Sequence, residues 1–451
     1  MLGKLLAPTI EEFIREHDYA TLKVELADLD AIDLADLIQD VEGSHTMVIF
    51  RLLSKEKAAD VFEYLDIDHQ KELLRSLSKE SVKHILEEMS VDDRTALLDE
   101  LPPQVASQLI ELLSHEDRQL AQTILNFPED SVGRLITPDY VSLSADMTAA
   151  QALEKIRLFG QDKETVYACY VIGEKRRLLG VVSLRRLVTS PLDAKVADLQ
   201  VENFVSLTSG TEQEEAVDVF RRYDLIALPV LDSEGNMLGI VTFDDIMDVA
   251  EEEFREDMDR MAAVVPGAVD KGYLDEHVLS SVRRRVPWLV ALLLVEGVAV
   301  LILTRYDGLL DLHIALSFFL PALIATGGNT GTQSASMVIR AIATGEVVLK
   351  DIWRIASRAV VGGLVLAVLL GLFAFLMAMA IRRDSAIGLC VALGLAAVVI
   401  MSNIAGSVLP LILKRAGLDP ALMSSPFIST LVDIFGLVIY MEISRAILVA
   451  P

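Results

Sequence analysis

The chain has 451 residues, 52% of them hydrophobic, and a formal net charge of -26 at pH 7. That length suggests more than one domain, and so acidic a protein repels nucleic acid and anionic head groups, so its natural partners are cations or basic surfaces. The two cysteines, Cys169 and Cys390, exclude a disulfide framework and a cysteine metal site. The charge is uneven: -30 falls before residue 280 and +4 after it, where long apolar runs begin. The opening MLGKLLAPTI passes at once into EEFIREHD and lacks the apolar core of a signal peptide, so the large N-terminal part is expected in the cytosol.

Residues 1 to 130 carry a spacing of twelve: Leu53-Ser54, Leu65-Asp66, Leu77-Ser78, Met89-Ser90, Leu101-Pro102 and Leu113-Ser114. Each pair is an apolar residue followed by a helix-capping or helix-breaking type, and a polar first turn comes next. Short helices stacked as an α-superhelix are expected.

From about residue 137 the texture changes to strand-like clusters, VYACYVI, LLGVVSL, ALPVLD and MLGIVTF, alternating with helical stretches. Two units align as strand, helix, strand, turn, strand, helix, over residues 131 to 200 and 201 to 247. Their glycine-apolar-apolar-[Ser/Thr] endings resemble a tandem pair of cystathionine beta-synthase (CBS) domains, an α+β fold. Such pairs commonly sense adenine nucleotides, which implies ATP as a possible cofactor and Tyr170, Arg185, Arg186, Thr242 and Asp245 as its candidate contacts. The second unit has the closing acid, Asp245, whereas the first has Arg186 where the family usually places a ribose-binding Asp. Arginine cannot accept from ribose hydroxyls, although it can meet a phosphate.

Residues 248 to 282 are expected as an acidic connecting helix, whose stretch DVAEEEFREDMD holds seven acids and one Arg. Like charges at helical spacing repel, which favours cation binding there.

Residues 283 to 451 are expected as a transmembrane domain of five spans, from apolar runs at 286–303, 314–325, 360–381, 386–413 and 427–450. The second run extends through GGNTGTQSAS to about Ile342. Arg283 to Arg285, then Arg340, Lys350, Arg354 and Arg358, then Lys414 and Arg415 agree with a cytosolic N-terminus, and the odd span count places the C-terminus outside. Arg382 and Arg383 do not agree. The glycines and polar residues of the second span, and Pro420 and Pro426 around the serines before the fifth, predict irregular backbone lining one pathway. Asp433 stands in the apolar run ISTLVDIFGLVIYMEI, where a carboxylate costs about 2.5 to 3.5 kcal/mol on insertion scales. It is expected to be an ion site in preference to a salt bridge with Arg340 or Arg445. Glu296 is assigned to a subunit interface or vestibule, and Glu442 has Arg445 one turn away. One acid among hydroxyls and carbonyls suits Mg²⁺, which keeps much of its water, and a twofold dimer would place two copies of Asp433 on one axis.

A helical superhelix, a CBS pair, an acidic helix and five spans carrying GGNTGTQS and DPALMSSPFISTLVDIFGLVIY together resemble the MgtE family of magnesium channels over essentially the whole chain. The resemblance implies a homodimeric, multi-pass channel of the cell membrane, without enzymatic activity, in contact with membrane lipid and Mg²⁺ but not nucleic acid. It implies pore residues Asp433, Ser429, Ser425, Gly328 and Asn329, with Ser425 standing where one family pattern has Asn. It further implies cytosolic regulatory Mg²⁺ sites at Asp60, Asp92, Asp248, Glu256 and Asp419, through which high Mg²⁺ closes the pore. Two other classes fit parts of the sequence: a secondary divalent-cation transporter coupled to Na⁺ or H⁺, and a nucleotide-sensing signalling protein that uses the spans as an anchor.

Overall fold

A computed structural model of the chain describes residues 2–41, 43–161, 163–267, 277–420 and 425–448. It divides into two units, Met1–Glu251 and Glu252–Pro451.

The first unit opens with ten short helices: α1 (Leu2–Glu16), α2 (Tyr19–Ala27), α3 (Ala31–Asp40), α4 (Gly43–Leu52), α5 (Lys55–Glu63), α6 (Ile67–Ser76), α7 (Lys79–Glu88), α8 (Val91–Asp99), α9 (Pro103–Ile110) and α10 (His115–Leu125). The twelve-residue spacing is the spacing of helix starts. Ser54, Asp66, Ser78, Ser90 and Ser114 are the N-caps of α5, α6, α7, α8 and α10, and each accepts the amide of the residue three further on. Pro102 starts α9 without such a bond, its fixed φ doing the same service. Helices pack on their next-but-one neighbours, α3 on α5, α5 on α7 and α8 on α10, which builds a superhelix. Arg94 is buried inside it, donating to Leu86 O at 2.8 Å and pairing with Asp117 at 3.2 Å.

Two α/β repeats follow. The first contains β1 (Tyr140–Leu143), α11 (Ala149–Phe159), β2 (Thr165–Ile172), β3 (Leu178–Ser183) and α12 (Leu184–Thr189), then the short α13 (Val196–Leu199). The second contains β4 (Leu207–Thr208), α14 (Gln213–Tyr223), β5 (Ala227–Leu231), β6 (Met237–Thr242) and α15 (Phe243–Met261). In each sheet the first strand pairs parallel to the second across a helical crossover, and the second pairs antiparallel to the third across a tight turn. Tyr170 and Leu178 from one repeat share a core with Ala227, Met237 and Ile240 from the other.

The acidic helix is α15, and it ends at Met261, well short of residue 282. The sequence that follows, AAVVPG, fits the stop: Ala263 has a left-handed φ of 56°, and Pro266 disfavours helical backbone at the residue before it.

The second unit holds α16 (Val278–Leu303), α17 (Asp307–Leu312), α18 (Leu320–Ala343), α19 (Ile352–Arg382), α20 (Ser385–Arg415) and α21 (Ser425–Leu448). Among the described residues, five helical stretches are long and apolar enough to cross a membrane: Val278–Leu312, Ile314–Ala343, Leu349–Arg382, Ser385–Arg415 and Ser425–Leu448. The basic turn that broke the charge rule has structural work: Arg382 lies over the Phe318 ring at 5.1 Å, and Arg383, at φ 53°, closes α19 in the left-handed region.

One expectation is corrected. The polar, glycine-rich stretch of the second span is a continuous helix, α18, not irregular backbone. Thr330 and Ser334 return their hydroxyls to carbonyls one turn back, both at 2.8 Å, so they leave the helical ladder intact. The glycines serve close approach. A Cβ on Gly327 would meet Val398 at 2.6 Å and Val432 at 2.8 Å, and one on Gly406 of α20 would sit 2.1 Å from the Gly331 carbonyl. The irregular backbone expected before the fifth span falls partly on residues 421–424, outside the described residues; Ser425 already opens α21.

Candidate functional site

Asp433 is half-buried on α21, eight residues into the helix, and among the described residues it forms no ion pair. The bridges to Arg340 or Arg445 are not made. Arg445 instead pairs with Glu442 at 2.6 Å, and Glu442 also accepts the Tyr306 hydroxyl at 2.7 Å. One turn before Asp433, Ser429 faces the glycine surface of α18: a Cβ on Gly328 would stand 3.1 Å from Ser429 Oγ. Gly328 and Ser429 are thus brought together, where two backbones approach closely. Ser425 reaches Thr332 only at the limit of hydrogen bonding, 3.4 Å between hydroxyls. Asn329 lies on an exposed part of α18.

A polar link that the sequence reading passed over joins three spans. Asn403, on α20, has its Oδ1 2.5 Å from Ser334 Oγ of α18, whose one hydroxyl proton it shares with the Thr330 carbonyl, and donates to the Ala359 carbonyl of α19 at 2.5 Å. Its signal was available, since an amide within VVIMSNIAGSV is as anomalous as a carboxylate within ISTLVDIFG.

In the first unit a group of carboxylates gathers between the superhelix and the α/β repeats. Asp92 is buried at the start of α8, and Glu63 at the end of α5 accepts the Ser90 amide at 2.9 Å. Burial pushes Glu63 up to about 7, with Asp93, Asp60 and Asp92 adding repulsion. Asp92 is also raised, first by burial and then by Asp93. Asp245 is raised by burial and next by Asp92, although Thr242 Oγ1 donates to it at 2.5 Å. Glu164 rises for the same reasons, lost hydration and then Asp92. Of the expected regulatory acids, Asp60 and Asp92 therefore share one electrostatic neighbourhood, joined by Glu63, Asp93, Glu164 and Asp244, which sequence reasoning missed, and by Asp245, expected there only as a nucleotide contact. Asp248 is exposed on α15.

Glu256 and Asp419 meet in the second unit through an arginine. Arg260 on α15 pairs with Glu256 one turn earlier and with Asp419, before α21, at 2.5 Å. Arg284 of α16 pairs with Asp259, donates to Val265 O at 2.8 Å and accepts the Val265 amide on its carbonyl at 3.1 Å. Among the described residues, no three His, Cys, Asp or Glu side chains converge to hold a metal ion. An ion that keeps its hydration shell needs no such cage.

The nucleotide candidates lie on the repeats. Tyr170 is fully buried, its hydroxyl without a hydrogen-bond partner among the described residues, while Arg185 and Arg186 are exposed on α12. Asp245 keeps one carboxylate oxygen uncommitted, because Thr242 uses only the other.

A helical superhelix, paired α/β repeats and five apolar helices, two of them carrying a carboxylate with no ion pair among the described residues, define a membrane protein with a large helical and α/β region ahead of its spans. A family profile described as "Divalent cation transporter" matches residues 320–443, one described as "MgtE intracellular N domain" matches 29–130, and the CBS domain profile matches 132–193 and 196–252. The chain is 37% identical over 451 residues to the "Magnesium transporter MgtE" of Thermus thermophilus, covering 99% of each. It is 30% identical over 321 residues to that of Enterococcus faecalis, covering 71% of this chain and 70% of the relative. A crystal structure of "the cytosolic domain of the Mg2+ channel MgtE in complex with ATP" superposes with a TM-score of 0.52 at 36% identity, covering 54% of this chain and 100% of that one. The chain belongs to the MgtE family.

Proposed function

We propose that the protein is a homodimeric, Mg²⁺-selective channel of the cell membrane, and that cytosolic Mg²⁺ closes it by negative feedback. The observation that carries this reading is Asp433, a carboxylate half-buried in an apolar span with no ion pair among the described residues. Such a group persists where a cation visits it. Ser429 and the backbone around Gly328 supply oxygens nearby, with Ser425 and Asn329 toward the cytosolic side, and a partially hydrated Mg²⁺ suits this sparse set. Two elementary charges gain about 4.6 kcal/mol per 100 mV of inward-negative potential, so influx needs no counter-ion.

The feedback reading rests on the acidic cluster and on α15. Carboxylates at Asp60, Glu63, Asp92, Asp93, Asp244 and Asp245 repel one another, and Mg²⁺ reverses the sign of that term. Asp248 on α15 and, in the second unit, Glu256 and Asp419 are further acids that the reading assigns to Mg²⁺. A nucleotide at the CBS pair would modulate this switch. The uncommitted oxygen of Asp245 fits a ribose hydroxyl and the exposed Arg185 and Arg186 fit phosphates, as the ATP complex of the related cytosolic domain encourages. No catalytic role is assigned.

The test is Mg²⁺ uptake into liposomes holding the full-length protein. Asp433→Ala is expected to lower uptake by about tenfold or more, the equivalent of at least 1.4 kcal/mol. Undiminished uptake removes Asp433 from the pathway, and uptake that requires a Na⁺ or H⁺ gradient replaces the channel by a coupled transporter.

A further inference from the structure

A second carboxylate, Glu296, lies within the first span. Leu293, Leu294 and Val298 around it are exposed, whereas Leu292, Glu296, Ala299 and Ile302, three or four residues apart, form the partly buried stripe of α16. This helix packs on α21. At the outer end of the stripe, the Tyr306 hydroxyl donates to Glu442 at 2.7 Å, which fixes the register of the two helices. As first and fifth spans they run in the same direction. Glu296 lies ten residues before Tyr306 and Asp433 nine before Glu442. At a rise of 1.5 Å per residue these steps are about 15 and about 14 Å, so the two carboxylates share one depth. They are close enough to interact electrostatically, and neither has an ion pair among the described residues.

Two unpaired carboxylates at one level of an apolar bundle repel each other, and each is costly alone. A cation passing between or beside them relieves both terms, a divalent ion twice as strongly as a monovalent one. We propose that Glu296 is a second carboxylate of the ion pathway, acting through space on the cation that meets Asp433 and favouring divalent over monovalent ions. The inference rests on the reading of Asp433 as a pathway residue.

The experiment measures Mg²⁺ influx into liposomes containing full-length protein, as a function of external Mg²⁺, with and without external Na⁺. Glu296→Gln is expected to raise the half-saturating Mg²⁺ concentration by roughly three- to tenfold and to make influx more sensitive to Na⁺. Glu296→Asp, which keeps the charge, is expected to stay near the wild type. A Gln variant with the wild-type Mg²⁺ and Na⁺ dependence overturns the proposal, as do Gln and Asp variants impaired alike, which assign Glu296 to packing. Asp433→Asn is measured alongside: wild-type flux there sinks the pathway reading itself, whereas its loss beside an unaffected Gln variant sinks only the role of Glu296. Should the Gln variant fail to fold by gel filtration, Glu296→Ala, which also removes the charge, is measured in its place and held to the same two outcomes: a raised half-saturating Mg²⁺ concentration with greater Na⁺ sensitivity supports the proposal, and wild-type dependence overturns it.

Discussion

Asp92 and Glu63 show what acidic side chains do when burial and neighbours of like charge act together. Glu63 has an ordinary value of 4.5 and stands at about 7 in the folded chain. A carboxyl whose folded pKa exceeds its unfolded one binds its proton more tightly when folded, so the folded state loses stability as pH rises from about 4.5 to about 7. Without Mg²⁺, hydrogen-exchange protection of the α8 amides in the full-length protein, corrected for intrinsic rates, should fall across that window. Added Mg²⁺ should restore more protection at a pH of about 7.5 than at about 5.5, where protons already neutralise the cluster. Protection that ignores both pH and Mg²⁺ would show that these acids do not face one another. Asp92→Asn removes a buried charge without changing shape. It is expected to gain about 1 kcal/mol of protection in the absence of Mg²⁺ and to lose most of the gain that Mg²⁺ confers.

At the scale of elements, helix starts and helix contacts differ in how far their causes lie along the chain. Ser78 caps α7 by accepting the Ser81 amide at 3.2 Å, and Ser78→Ala should cost about 1 kcal/mol in chemical denaturation of the superhelix. That interaction spans three residues, so the twelve-residue rhythm alone displayed it. The glycines of α18 act on residues far away in sequence. Gly331 matters because its carbonyl lies where a Cβ on Gly406 would be, and nothing within GGNTGTQS announces a partner on α20. Composition therefore revealed an unusual span while suggesting a break in place of a tight crossing. Asp433 was legible as a charge out of place, and its lack of a salt bridge was legible too, because Arg445 stands one turn from Glu442, with which it pairs. Asn403 was equally visible and went unread. Gly406→Val should force α18 and α20 apart, since backbone cannot yield by the distance required, and lower the thermal midpoint in detergent by more than Gly406→Ala does. Equal midpoints for the two variants and the wild type would mean that the crossing is looser than drawn.

For the molecule as a whole, the feedback reading requires the cytosolic acids to act on the pore, and the chain connects the two units through α15, the helix in which the division between them falls. Its far end is fastened inside the second unit by Arg260 to Asp419, a few residues before the helix that bears Asp433, and by Arg284 to Asp259. Both clasps use arginine, a permanent cation whose planar fork suits carboxylates, so under the feedback reading they would fasten the end of α15 to the second unit while Mg²⁺ competes for their carboxylates. Each pair is partly solvated and contributes about 0 to 1 kcal/mol, whereas taking a gate from 1:99 to 99:1 needs about 5.5 kcal/mol. One clasp cannot be the switch. Under the feedback reading, Arg260→Gln should therefore shift the cytosolic Mg²⁺ concentration for half-closure by no more than about fivefold, while Arg260→Gln with Arg284→Gln should flatten the Mg²⁺ dependence by releasing the helix end. Inside-out patches with Mg²⁺ varied on the cytosolic face read both quantities. A double variant with unaltered midpoint and steepness would place the coupling in other contacts, and a single variant that abolishes closure would make Arg260 part of the sensor, against its chemistry.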